Sequence, residues 1–215
     1  MSSLRNLLKK YEGGGSRGGE GSRKRVPWFS LKDDGDTANV RFLITDEVDM
    51  MNFVREVHRA KIGSYENNVV CTGADCEFCR RGEPKSVRML VPLYNLEKRE
   101  VQIWSRGLTD INQLLNNFDE YGPLNNRTYK IKRNGRSGNT NTTYSYFPKD
   151  REEMSNFDEL REQVPNVVGR DFRYFLNLTR EQQIEVIETG KVTFNRSEES
   201  GIDEDEDQPN DERVF

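Results

Sequence analysis

Short runs of apolar, β-branched and aromatic residues recur along the middle of the chain, each bounded by polar or turn-forming residues. That pattern predicts strands at residues 39–44, 87–94, 101–104, 129–133, 143–147 and 170–178. A turn at residues 33–36 leads into the first of them, and a polar turn at residues 95–100 pairs the second with the third. Within 101–104, Val101 and Ile103 point one way and Gln102 and Trp104 the other. The loop before residue 143 opens with Asn134-Gly135, a strong turn signal. Helical spacing appears at residues 108–118, where Ile111, Leu114, Leu115 and Phe118 share a face. Residues 155–163 form a second helix, with Ser155 and Asp158 spaced as a capping pair. A third runs over 179–189, with Thr179 and Gln182 as a capping box and Gly190 as its stop. Between about residues 58 and 82 the β pattern is interrupted. No internal repeat is present. A mostly β core with helices between strands predicts an OB-fold barrel.

The ends read differently. Leu4, Leu7, Leu8 and Tyr11 fall on one face of a short helix, followed by a glycine-rich linker at 13–21 and the basic cluster Arg23-Lys24-Arg25. Residues 1–25 are therefore expected to be a basic arm, residues 26–196 the core, and residues 197–215 a disordered acidic tail. The first residues lack a signal-peptide pattern and no stretch has the apolar length of a membrane span, so a cytoplasmic protein without membrane contact is expected.

A net charge of −4 disfavours a nucleic-acid binder until it is divided along the chain. Residues 197–215 hold nine acidic residues and a single arginine, whereas residues 1–27 hold seven basic and two acidic ones. The core between is nearly balanced, so total charge says little about partners.

The only histidine, His58, and all three cysteines, Cys71, Cys76 and Cys79, lie in one segment with the order His-x12-Cys-x4-Cys-x2-Cys. The two residues inside Cys76-Glu77-Phe78-Cys79 let both sulfurs face one ion. Three thiolates and one imidazole complete a tetrahedral shell with no position left for water, which predicts one structural zinc ion in a subdomain at about residues 55–85. Buried unreactive cysteines or a redox pair would explain the spacing less well, since neither calls for a third cysteine and a distant histidine. A zinc deaminase would carry Glu two residues after its histidine and Pro before the knuckle, where this chain has Ala60 and Asp75.

Residues 122–149 contain no acid at all. They carry Arg127, Lys130, Lys132, Arg133, Arg136 and Lys149, interleaved with Tyr129, Tyr144, Tyr146 and Phe147. Cations beside aromatics suit a single strand of nucleic acid, whose phosphates and unpaired base faces are both available. Arg41, Tyr94, Trp104 and Arg106 join the candidate contacts. Tyrosines on strands are also common core residues.

In the order of these features the chain resembles the zinc-containing single-stranded DNA-binding, or helix-destabilising, proteins of T-even-like phages. The resemblance is carried by the basic amino end, by Gly35-Asp36-Thr37-Ala38-Asn39-Val40-Arg41-Phe42-Leu43 as first barrel strand, by the His58, Cys71, Cys76, Cys79 set with Phe78 in the knuckle, and by the strand pair through Trp104 and the acidic tail. It implies cooperative self-association on DNA through the arm around Arg5, Lys9, Lys10 and Arg23 to Arg25. It also implies recruitment of replication and recombination proteins by the tail. The chain is shorter than the family's pattern, and its terminal Phe215 is closer to other single-strand binders.

The expectation is a non-enzymatic protein that coats single-stranded DNA in replication, recombination and repair, in the host cytoplasm if phage-encoded. The alternatives are a zinc-dependent regulator of duplex DNA and an RNA binder. The first is disfavoured because the helices at 108–118 and 179–189 carry no Lys or Arg beyond Arg180. A nuclease or primase would want converging carboxylates, and no such acidic motif stands out.

Overall fold

The computed structural model describes residues 25–136 and 142–194. The expected amino-terminal arm, except Arg25, and the acidic tail lie outside these residues. Nine strands make one mixed sheet: β1 (Thr37–Phe42), β2 (Val54–Ile62), β3 (Tyr65–Val70), β4 (Lys85–Asn95), β5 (Glu100–Gly107), β6 (Arg127–Asn134), β7 (Thr143–Arg151), β8 (Val168–Gly169) and β9 (Phe175–Leu176). The helices are α1 (Glu47–Met50), α2 (Glu77–Arg80), α3 (Leu108–Tyr121), α4 (Phe157–Glu162) and α5 (Arg180–Thr189). No helix among the described residues is long and apolar enough to cross a membrane.

The strand order is β7-β6-β1-β4-β2-β3-β9-β8, with β5 paired to β4 off this path. Only the β3–β9 and β8–β9 pairs are parallel. The sheet does not close: β7 and β8 stand at its two ends, so the expected closed barrel is not formed. At β4 the sheet branches, since one edge holds β2 near its start and β1 near its end while β5 lies on the other.

Around β4 and β5 both faces of the sheet are covered. Val40, Phe42, Met89, Val91, Leu93, Trp104, Ile111 and Leu114 belong to the main core. Leu43, Val101 and Leu160 form a small cluster where α4 packs. This explains why Gln102, on the face opposite Val101 and Ile103, is also buried and bonded to Asn95 at 2.9 Å.

Most local expectations carry through. β4 to β7 and α3 cover the predicted segments with a few extra residues at their ends, and β1 is shifted two residues toward the amino end, 37–42 in place of 39–44. Thr179 and Gln182 form the capping box of α5, and Gly190 ends it in the left-handed conformation at φ 67°. Three expectations change. The segment around 58–70 is the β2–β3 hairpin, because metal donors at its base are compatible with regular pairing. The strand expected at 170–178 shrinks to β9, since Asp171 and Arg173 turn the chain first. The cap of α4 is Asn156, without a side-chain bond, and Ser155 is exposed.

Tyr129 is 0 % exposed, and its hydroxyl has no hydrogen-bond partner among the described residues. Burial pushes its pKa from 10.0 up to about 12, opposed by Arg127. Tyr146 and Tyr174 shift the same way through burial. Raised phenol pKa values mean that the unfolded chain ionises first as pH rises. Stability present below pH 10.0 is therefore lost toward about 12. Replacing Tyr129 with Phe removes a buried hydroxyl without cost to packing. Y129F is expected to melt no lower than the parent at pH 7 and to resist alkaline unfolding better, as read by circular dichroism. A lower melting temperature at pH 7 would mean that the hydroxyl has a partner after all.

Candidate metal centre and nucleic-acid face

The four expected metal donors converge. His58 comes from β2, Cys71 follows β3, Cys76 is the N-cap of α2 and Cys79 lies within it. Their donor atoms all lie within 4.8 Å of one another. Cys71 Sγ and Cys79 Sγ are 3.5 Å apart, and Cys79 Sγ is 3.3 Å from His58 Nε2. Two sulfurs on one tetrahedral ion at bond lengths of about 2.3 Å stand about 3.8 Å apart, so the donor set suits one metal ion.

The surroundings aim these donors. His58 Nδ1 lies 3.2 Å from the carbonyl of Pro84, which accepts its proton and leaves Nε2 free to ligate. Phe78 stacks on the imidazole with centroids 5.4 Å apart. After α2 the chain reverses through Gly82 at φ 74°, where the amide of Glu83 donates to Phe78 O and that of Gly82 to Cys79 O. This paired bonding closes the helix and requires the left-handed conformation that glycine tolerates. Burial raises the Cys76 thiol, but hydrogen bonds from the Cys79 and Thr72 backbones and from the other two thiols outweigh it, leaving it below its ordinary value. Its neighbour Cys79 is driven up to about 11, first by its hydrogen bond with Cys71 and then by burial. Three thiols this close cannot all ionise unless a cation sits between them.

A second core surrounds the centre: Ala60, Ile62, Val69, Cys76, Phe78, Leu176, Leu178 and Val186. α5 supplies its outer wall. Gln183, on α5, is fully buried and bonds to Glu77 N at 2.9 Å and to Thr72 Oγ1 at 3.2 Å. Arg180 Nε pairs with Glu77 Oε1 at 2.6 Å. That ion pair, together with Arg80, holds the Glu77 carboxyl below its usual range. Sequence reasoning missed Gln183 and Arg180. They lie more than a hundred positions from the knuckle and carry no spacing signal of their own.

The predicted nucleic-acid residues divide by strand parity. Tyr129, Ile131 and Arg133 on β6 and Tyr144 and Tyr146 on β7 face the core. Trp104, only 1 % exposed, meets Tyr144 edge-on at 4.9 Å and Phe29 at 5.2 Å. Burial removes Trp104, Tyr129 and Tyr144 from the stacking role expected of them, because a base needs an open ring face. Tyr146 is part-buried with its hydroxyl on Asp110 at 3.0 Å, and Tyr94 packs at the Leu43–Leu160 cluster. Burial raises the Asp110 carboxyl, with Arg106 and Tyr146 pulling against it. Arg106 lies 4.5 Å over the rings of Trp104 and Tyr144 and 3.6 Å from Asp110. Arg41 is buried against Glu152 at 3.0 Å and Asn125 O at 3.2 Å, which gives it a structural partner in place of a phosphate. Arg133 is buried too, bonded to the carbonyls of Leu31, Gly135 and Arg136 and to Thr142 and Tyr144. Arg127 is half-buried on Tyr121 O at 2.9 Å.

The opposite face remains open. Lys130 sits between Asn39 and Phe147, and Lys132 between Thr37 and Ser145. Lys130, Lys132, Arg136 and Lys149 are exposed, and Phe147 is 50 % exposed. A second cationic row crosses the sheet elsewhere. The register aligns Arg55, Arg88 and Gly107, with Arg59 on the same face of β2. The Arg55 guanidinium reaches only the carbonyls of Met51 and Val54. Burial lowers the Arg88 pKa, and Arg59 and Arg106 lower it further. Among the described residues none of Arg55, Arg59 and Arg88 forms an ion pair.

Comparison with protein-family models gives no match, and comparison with curated proteins gives none.

Cys79→Ser removes one donor while sparing both the Cys76 cap position and the main core. It is expected to cut bound metal well below one ion per chain by elemental analysis. The β2–β3 hairpin and α2 are expected to become protease-sensitive while β6–β7 stays protected. Full metal content in this variant would show that Cys79 is not a ligand.

Proposed function

We propose that this protein binds single-stranded DNA without sequence preference, as a non-enzymatic coating protein of replication, recombination and repair. The observation that carries the proposal is the open face of β6–β7. There exposed Lys130 stands opposite the half-exposed Phe147 and exposed Lys132 lies diagonal to it, and residues 122–149 hold no acid. Phe147 offers a ring face for a base, and Lys130 and Lys132 stand where backbone phosphates would run. The unpaired row of Arg55, Arg59 and Arg88 supports it, because anions there would relieve the mutual repulsion and the poor solvation of Arg88.

On this reading the core is an OB-type domain elaborated into an open sheet, and the metal is zinc. Three thiolates and an imidazole suit zinc, and with four protein ligands the ion keeps no position for a substrate. Its role is to hold the β2–β3 hairpin and α2, not to catalyse. The likeness to the phage helix-destabilising proteins belongs to the same proposal. So do the assignment of the amino-terminal arm to cooperative self-association and that of the acidic tail to partner proteins.

Titration with oligo-dT tests it. Trp28 is 39 % exposed and Trp104 is buried, so fluorescence quenching should report chiefly on Trp28. Binding is expected to be salt-sensitive and stronger for the single strand than for duplex of equal length. Exchanging Lys130 and Lys132 for Glu should lower the salt slope by about 0.7 for each lost phosphate contact. Phe147→Ala should weaken binding by about 1–3 kcal/mol. Equal or tighter binding to duplex would overturn the proposal, and preference for a matched RNA oligonucleotide would redirect it to RNA.

A further inference from the structure

α2 begins at Cys76, the position that normally supplies an oxygen to cap the first free amides of a helix. Cys76 makes no such bond, since its sulfur faces the other donors. The acceptor comes instead from α5: Gln183 Oε1 receives the amide proton of Glu77 at 2.9 Å. The same side chain donates through Nε2 to Thr72 Oγ1 and to Leu178 O, both at 3.2 Å. Thr72 follows Cys71 directly, and Glu77 follows Cys76 directly. One amide group therefore grips the chain beside two donors at once. Its orientation is unambiguous, because a flipped amide would set a donor against the Glu77 amide and an acceptor against the Leu178 carbonyl.

A glutamine that is 0 % exposed is costly to bury unless its bonds are made, and here all three are directed to the metal loop or to the start of its own helix. We infer that Gln183 is a positioning residue of the metal centre, setting the separation of Cys71 and Cys76 from outside the ligand segment and tying metal retention to the docking of α5. The inference rests on the reading that the four donors hold a metal ion. Two ion pairs run in parallel with the clasp, Arg180 to Glu77 at 2.6 Å and Arg81 to Glu188 at 3.8 Å. Both arginines stand open to solvent, so the buried amide is the part of the contact that water replaces least.

The test uses the full chain. Gln183→Met keeps the volume and loses the bonds; Thr72→Val removes one partner only. Val186→Ala weakens the packing of α5 in the same core but removes no hydrogen bond to the loop. Zinc affinity is measured by competition with a chelating dye, and the site is viewed through the visible absorption of its cobalt form. Q183M is expected to bind zinc about 10- to 100-fold more weakly, with T72V between it and the parent, and the cobalt bands of both shifted. V186A is expected to melt lower with zinc affinity and cobalt bands unchanged. Affinity that follows melting temperature across all three variants would overturn the inference, because packing alone would then hold the loop. Parental affinity in Q183M would overturn it too while leaving the metal centre standing. A parent chain that binds no zinc or cobalt would remove the centre itself and the inference with it.

Discussion

β4 is hydrogen-bonded along one edge to β5 from Arg88 to Asn95, and along the other to two strands in turn, β2 near its start and β1 near its end. Among the described residues no other strand serves three neighbours. The main core spans the half of the sheet that β1 extends through β6 and β7 and reaches across to Val57 on β2 and Phe175 on β9, while the metal core lies against the far part of β2, β3 and β9. Moving β4 by one residue would reverse every side chain on it relative to both halves. Met89, Val91 and Leu93 would turn out of the main core, and the pairing that sets His58 opposite Lys85 would be lost.

The two halves are held by different forces. The main core contains Trp104, Tyr129, Phe42, Phe29 and Phe175, enough apolar surface to be stable through burial. The metal core has one buried aromatic, Phe78, among aliphatic residues and a thiol. Its loop leaves Cys76 and Cys79 with opposed shifts, a state that a single cation would resolve by accepting all the thiolates. Ligand bonds there would replace the missing apolar area, and α5 would close over the product.

Local features were legible in the sequence where the physics was local. The capping box at Thr179 and Gln182, the stop at Gly190, the polar turn at 95–100 and the spacing of the cysteines all depend on neighbours within a few positions. Strand parity was legible too, since Tyr129, Ile131 and Arg133 share one face and Lys130 and Lys132 the other. The direction of each face was not. Which side of β6 meets the core depends on α3 and on Phe42 and Trp104, packed from distant parts of the chain. Tyrosine fits both a core and a binding surface, so composition left the choice open, and the structure settles it against Tyr129 and Tyr144. Gln183 was illegible for the same reason. Nothing near it in sequence marks it as different from Gln182, and only the fold brings it to Thr72 and Glu77.

The inward turn of the tyrosines changes where the charge of this segment acts, without reducing it. Arg133, buried among them, is satisfied by carbonyls and hydroxyls, and Arg127 by Tyr121 O and Asn126. Neither is paired with a carboxylate, so the charge of both arginines is met by dipoles alone. Lys130 and Lys132 stand on the outer face directly above it. An anion arriving there meets the near lysines and a residual attraction from the arginines behind, which a surface of lysines over buried ion pairs would not provide. The aromatic core and the cationic face are in this sense one construction: the rings fill the interior, and the acid-free sequence around them directs the charge outward.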